Sequence, residues 1–394
     1  MPATHSTVAA ARRRRANPAA TVLACLLMLA LGVLPVIARS SYDWGLPQGM
    51  PEPVVPPDNP MSDEKVQLGR HLFYDRRLSR DGSIACASCH QQERAFADPR
   101  RLPSGVDGQP GERNAMSLAN VAYLPVLTWS NPMITSLEVQ ALIPLFGEHP
   151  VEMGMSGREQ QLFEGLRTDP VYQRLFPLAF PEEARAGDAR LYSLASLTRA
   201  LASFQRSLIS FDSPYDRYRY RGQSDAISVS ARRGEALFFS ERTECYHCHG
   251  GFNFTDNLVH RRQPLAETGF HNTGLYDLDA RGTYPAGQTG LAAFTGARSD
   301  MGRFRTPSLR NVSVTAPYMH DGSIADLRAV IREHYAKAGR SANSAGRPSP
   351  LRSELMVGFE LEAGELDDLI AFLSALTDER FLNDPRHADP WKKP

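Results

Sequence analysis

Cysteine is scarce in this chain, with five in 394 residues. Cys25 falls in an apolar N-terminal run, and Cys86, Cys89, Cys245 and Cys248 all belong to two copies of Cys-x-x-Cys-His. No cysteine is left over for a structural disulfide, so the fold has to rest on packed cores. A 42% apolar composition is enough to build them. Net charge is lacking as well: Lys+Arg and Asp+Glu number 44 each. That balance removes the electrostatic reason to expect nucleic acid or an acidic membrane surface as a partner. Partners must be argued from sites.

The N-terminus carries Arg12 to Arg15, then the apolar "AATVLACLLMLALGVLPVIA" over 19–38, then a polar "RSSYDWG". A basic n-region before an apolar h-region reads as an export signal. Residues 1–40 are therefore expected to be a signal peptide or an N-terminal anchor, which places the protein in the periplasm. "VIA" before Arg39 resembles a small-residue cleavage site, while the run is also long enough to stay as an anchor. Cys25 reads as a passive h-region residue, because apolar sequence and not a mature polar segment follows it. In an exported chain, Cys-x-x-Cys-His reads as covalent c-type haem attachment, in which two thioethers fix the porphyrin and the adjacent imidazole binds iron. A lone motif is also compatible with a zinc or redox element, but here two motifs use every mature cysteine. The expectation is two haems, on Cys86, Cys89 and His90, and on Cys245, Cys248 and His249.

Residues 41–60 are Pro-rich and read as an extended linker. Next, Ser62 is a plausible N-cap for "DEKVQLGRHLFY", which leads to the first motif. "SVSARRGEALFF" leads to the second motif in the same way, and Gly69, Leu72 and Phe73 match Gly234, Leu237 and Phe238. The chain thus repeats one unit. "LYSLASLTRALASFQRSLISF" (191–211) reads as a helix closing the first copy, "DSPYDRYRYRGQSD" as a boundary, and "EAGELDDLIAFLSALTD" as the last helix. The tail "NDPRHADPWKKP" reads as loose. The expected fold is mainly α, with two cytochrome c-like domains, 61–215 and 216–394, each holding one haem.

The segment "RTPSLRNVSVTAPYMHDGSIADL" from Arg305 resembles the inter-haem segment of bacterial di-haem cytochrome c peroxidases and their MauG relatives. "NAMSLANVAYLPVLTWSNP" and "HPVEMGM" resemble first-domain segments of the same superfamily, and the likeness spans about residues 60–380. "PLFGEHPVEMGM" and "HYAKAGR" look most like the MbnH-type branch, whose members oxidise a tryptophan on a partner protein. Di-haem peroxidases often carry a capping His soon after the first motif, yet Gln91 to Asn114 contain no His, Met or Lys. The haem on His90 is therefore expected to be open to peroxide.

The resemblance implies roles for further residues. Glu152 aligns with the distal glutamate that moves a proton during O–O cleavage. His149, three residues earlier, is a second acid/base group, a capping ligand or a surface His. Met153 and Met155 read as packing residues, and His247 as a bystander. For the haem on His249, the sixth ligand is Tyr335, with His334 as the alternative. Counting from His320 favours His334; the pattern "HYAKAG" favours Tyr335 and needs one extra residue in the preceding helix. No Met follows His320 until Met356, which argues against an ordinary His/Met haem. Trp129 matches the tryptophan between the two haems. Asn114, by its side-chain oxygen, and Thr315 and Pro317, by their carbonyls, would hold a calcium ion, with His320 nearby.

The resulting reading is a peroxide-dependent di-haem oxidase that removes electrons from an aromatic residue, a Trp, on an exported partner. The alternative is a di-haem cytochrome c peroxidase that reduces hydrogen peroxide with electrons from a small cytochrome or copper protein. A non-catalytic electron carrier is a third class, and the missing ligand on the first haem argues against it. Trp44 and Trp391 lie in loose-looking termini, so sequence names no surface relay.

Overall fold

The Ser62 hydroxyl accepts from Lys65 N and starts helix α1 (Asp63–Tyr74), whose first turn carries Asp63 and Glu64 against the helix dipole. Its buried face, Val66, Leu68, Gly69, Leu72 and Phe73, lies on α2 (Leu194–Arg206), which is capped by Ser193. At the crossing, a Cβ on Gly69 would sit 2.0 Å from the Ala200 carbonyl oxygen. Only glycine lets these backbones approach so closely. The second copy packs identically: α3 (Val229–Phe238) crosses α4 (Glu365–Ser374), and a Cβ on Gly234 would meet Asp368 O at 1.9 Å. Ring centroids of Phe73 and Phe204 are 5.1 Å apart, as are those of Phe238 and Phe372. The repeated Gly-x-x-Leu-Phe is a repeated helix crossing.

The structure is a computed structural model that describes residues 42–340, 344 and 346–392. The expected signal segment, residues 1–40 with Cys25, lies outside the described residues. Residues 43–394 form one compact unit. Its strands are short: β1 (Leu258–His260) pairs antiparallel with β2 (Gln263–Glu267), and β3 (Phe270–His271) with β4 (Phe304–Arg305).

The structure contains a second repeat. "SLANV" (117–121) and "SLRNV" (308–312) both place an asparagine in the left-handed region, Asn120 at φ 57° and Asn311 at φ 60°. The Ser117 hydroxyl donates to Ala95 O at 2.7 Å and that of Ser308 to Asn253 O at 2.6 Å. Both asparagine amides donate to Ser210, Asn120 to its carbonyl and Asn311 to its hydroxyl. The two copies are thereby tied to one residue just past α2.

The expected boundary is ordered. Ser213 caps a helix over Pro214–Arg221, and Asp216 pairs through both carboxylate oxygens with Arg310 at 2.9 and 3.0 Å. Both partners are buried, and the guanidinium lies over the Phe211 ring.

The Pro-rich segment is extended but not free. Met50 packs with Tyr123, Phe211 and Leu258, the Tyr123 hydroxyl donates to Pro51 O, and Arg261 N donates to Glu52 O.

The tail expected to be loose is docked instead. Tyr74 donates to His387 O, Gln92 to Asp384 O, and Trp391 Nε1 to His71 O at 3.0 Å, while Arg77 covers the indole face. Composition misled here because the tail's anchors are its backbone carbonyls and one indole, which leave no periodic pattern. His387 is buried, and burial lowers its pKa to about 4 from 6.5. Below pH 6.5 the unfolded tail takes a proton that the docked imidazole refuses, so stabilisation present above 6.5 is lost progressively toward 4. Amide protection factors over 384–392, which correct for the intrinsic slowing of exchange in acid, should therefore fall across that window. His387→Gln should abolish that fall, and protection factors in the parent protein that stay constant with pH there would contradict it.

Candidate active site

Cys86–Ser88 is a single tight turn that delivers His90, and Cys245–His249 is one helical turn. Burial pushes the Cys86 thiol up to about 12 and those of Cys89 and Cys245 to about 11. His90 Nδ1 lies 2.7 Å from Phe96 O and His249 Nδ1 lies 3.1 Å from Phe254 O. Phe96 and Phe254 both adopt positive φ, 62° and 51°, which turns each carbonyl toward its imidazole. A ring that donates through Nδ1 keeps Nε2 as its metal-binding atom. Burial lowers both imidazole pKa values, which holds the rings neutral, the form that ligates iron.

The loop carrying Glu152 is laced to the first motif's surroundings: Val106 N donates to Glu152 O and Arg80 N to Met153 O, each at 2.8 Å. The Glu152 carboxyl is close enough to Cys86 and Cys89 to oppose ionisation of both thiols. Burial raises its own pKa above the usual carboxylate value. His149 is exposed on the same loop. Met153 and Met155 are buried.

Near the second motif lies a cavity of about 250 Å³, lined by Cys245, Cys248, His249, Tyr335 and Met356, and extending to Trp129. Asn114, Thr315, Pro317 and His320 also line it. Trp129 Nε1 donates to Asn114 O at 2.8 Å, which fixes the indole plane. The Asn114 amide nitrogen donates to Arg100 O and Arg101 O, so its oxygen is the atom left for a cation. His320 stacks on Phe304 at 3.6 Å, burial lowers its pKa to about 3, and its buried Nε2 has no hydrogen-bond partner among the described residues.

Val330–Tyr335 forms a π-helical turn, which carries one residue more than an α-helical turn. Tyr335 faces the cavity near Cys245 and Cys248, and burial pushes its phenol up. His334 is fully buried and does not line the cavity. His247 does not line the cavity either; it pairs with Glu244 at 2.6 Å.

Sequence reading missed two cations on the cavity wall. Arg305 is buried, which lowers its pKa to about 10, and donates to Thr128 O and Met116 Sδ. His271 is 2.5 Å from the Asp256 carboxylate, which raises the imidazole pKa to about 10. Arg305 opens the recognised segment and was within reach. His271 had no local signal, because pairing of β3 with β4 places it. A cavity with a ligating imidazole, two adjacent thiols, apolar walls and two cations fits a haem and its carboxylates.

A model of the di-haem cytochrome c peroxidase family matches residues 63–225. The methylamine utilization protein MauG of Methylophilus methylotrophus is 35% identical over 332 residues, covering 84% of this chain and 86% of its own. Cytochrome-c peroxidase IdrP1 of Pseudomonas sp. strain SCT is 35% identical over 93% of this chain and 94% of its own. A solved MauG-like protein associated with microbial copper homeostasis superposes with TM-score 0.84 at 47% identity, covering 89% of this chain and 100% of that one. The diheme peroxidase BthA from Burkholderia thailandensis shares the fold, with TM-score 0.63 at 24% identity. The fold fits two cytochrome c-like domains.

Proposed function

The chain belongs to the di-haem cytochrome c peroxidase and MauG family, oxidoreductases that hold two haems and act on peroxide, and from that premise we propose that it uses peroxide to oxidise a tryptophan on an exported partner protein. The observation that carries the proposal lies at the first motif. No His, Met or Lys occurs from Gln91 to Asn114, and a half-buried carboxyl, Glu152, lies near the motif's thiols.

Cys86, Cys89 and His90 would hold one haem, and Cys245, Cys248 and His249 the other. When bound, this pair supplies an iron for peroxide and a store for two oxidising equivalents. Glu152 takes a proton from the near oxygen of peroxide and gives it to the oxygen that departs as water. Trp129, its indole held by Asn114 O, would carry oxidising equivalents between the two sites. The Tyr335 oxygen would hold the iron of the second haem, where an anionic oxygen donor favours the oxidised metal. Asn114, Thr315 and Pro317 would offer oxygens to a calcium ion, and Arg305 and His271 would offset the negative charge of the second haem's carboxylates. The copper association of the MauG-like neighbour supports a copper-handling protein of the periplasm as the partner. Among the described residues, no helix is long and apolar enough to cross a membrane.

Two observations favour the plainer peroxidase as a second reading: the match to IdrP1 along 93% of the chain, and Met356 on the cavity wall. Peroxide added to the di-ferric protein separates them. A lasting two-electron-oxidised state without prior reduction is expected; a requirement for half-reduction would select the peroxidase. Tyr335→Phe is expected to convert the low-spin ferric signal of the second site, whereas His334→Ala and Met356→Leu should leave it in place. Loss of that signal in Met356→Leu alone would reassign the ligand.

A further inference from the structure

We propose that Tyr246, inside the second Cys-x-x-Cys-His motif, is the surface exit for oxidising equivalents, and that Glu241 is its proton acceptor. The proposal rests on the function given above. The two attachment loops differ where they should be equal: the first carries Ala87 and Ser88 between its cysteines, and the second carries Tyr246 and His247. Tyr246 follows directly on Cys245, so a short covalent path joins its ring to the thioether that this cysteine would form. The ring is half-buried against the second core, stacks on His247 at 4.1 Å, and lies 6.4 Å from Phe239, which is 39% exposed. Its hydroxyl donates to the exposed Glu241 carboxylate.

That last contact decides the chemistry. A phenol that loses an electron becomes a very strong acid, so oxidation at an accessible potential needs a base already in hydrogen-bond contact. Tyr246 gives one electron toward the site on His249 and its proton to Glu241, leaving a neutral tyrosyl and a neutral carboxylic acid. One electron from the partner's aromatic side chain, with the proton returned by Glu241, restores both. Two passes account for the two oxidising equivalents of one peroxide.

Trp391, the rival surface aromatic, is less suited. The Arg77 guanidinium lies 5.4 Å over its indole, and a cation above the face opposes removal of an electron.

The test treats the haem-loaded, full-length protein with one equivalent of peroxide. Freeze-quenched samples are read by electron paramagnetic resonance, and oxidised residues are mapped by peptide mass spectrometry. The parent protein is expected to give a tyrosyl signal that narrows with ring-deuterated tyrosine, and modification at residue 246. Tyr246→Phe should remove both and slow decay of the oxidised state in the presence of a small ferrocytochrome c at least tenfold. Glu241→Gln, which keeps the ring in place, should slow that decay and change its solvent deuterium isotope effect. Trp391→Phe should change nothing. A tyrosyl signal and decay unaltered in Tyr246→Phe, or loss of the signal in Trp391→Phe, overturns the relay while leaving the proposed function standing. Failure of the parent protein to form any oxidised state overturns both.

Discussion

Glu152→Gln is expected to slow the reaction with peroxide by about 10²–10⁴-fold while leaving both haem sites filled. Gln keeps the shape and the loop contacts, since Val106 N and Arg80 N bind backbone carbonyls and not the side chain. What it removes is the group proposed to accept and return the proton. Burial raises the Glu152 pKa above the usual carboxylate value. Because the carboxylate is the base, the parent rate should fall as pH drops through that raised value, and the Gln variant should lack this limb. Exposed His149 supplies the control: His149→Ala should retain the parent rate and pH profile. Stopped-flow spectra with peroxide read both. A near-parental Glu152→Gln beside a crippled His149→Ala would exchange their roles.

Arg310→Leu is expected to cost about 3–5 kcal/mol, because it leaves the Asp216 charge buried without its partner. The pair is fully enclosed, and the guanidinium also donates to Phe252 O through Nε and Nη2, so truncation orphans a carbonyl as well. Asp216 additionally accepts from the backbone and hydroxyl of Ser213, the N-cap of its own helix. Phe252 lies three residues after His249, so the damage should reach the second haem site first. Denaturant unfolding should show the loss, and the low-spin signal of the second site should disappear at lower denaturant than in the parent protein. The double variant Asp216→Asn/Arg310→Leu should recover part of the stability, since the uncompensated charge is gone. If the double variant is no better than the single one, the lost packing over Phe211 accounts for the cost and not the charge.

Both Cys-x-x-Cys-His motifs were legible in the sequence because their cysteines and histidine are neighbours in the chain. The helix crossings were legible for a similar reason: contact between backbones demands glycine at one position, and Gly69 and Gly234 supply it in matching contexts. Glu152 and Trp129 were reached only through resemblance, since neither has a local pattern of its own. Beyond these, position in the chain carried little. The tail's docking depends on carbonyls that every residue has, so nothing in "NDPRHADPWKKP" announced it. Arg305 and His271 meet the second cavity because β3 pairs with β4, a contact between segments more than thirty residues apart.

The competition between His334 and Tyr335 shows the division most clearly. Sequence put two adjacent ligating side chains at the right distance from His320. It could not say which one faces the cavity, because the facing direction depends on the number of residues per turn. The π turn over Val330–Tyr335 directs Tyr335 to the cavity and leaves His334 in the protein interior. Residue identity determined which chemistries were available to this protein; backbone winding and long-range packing decided which of those residues meet.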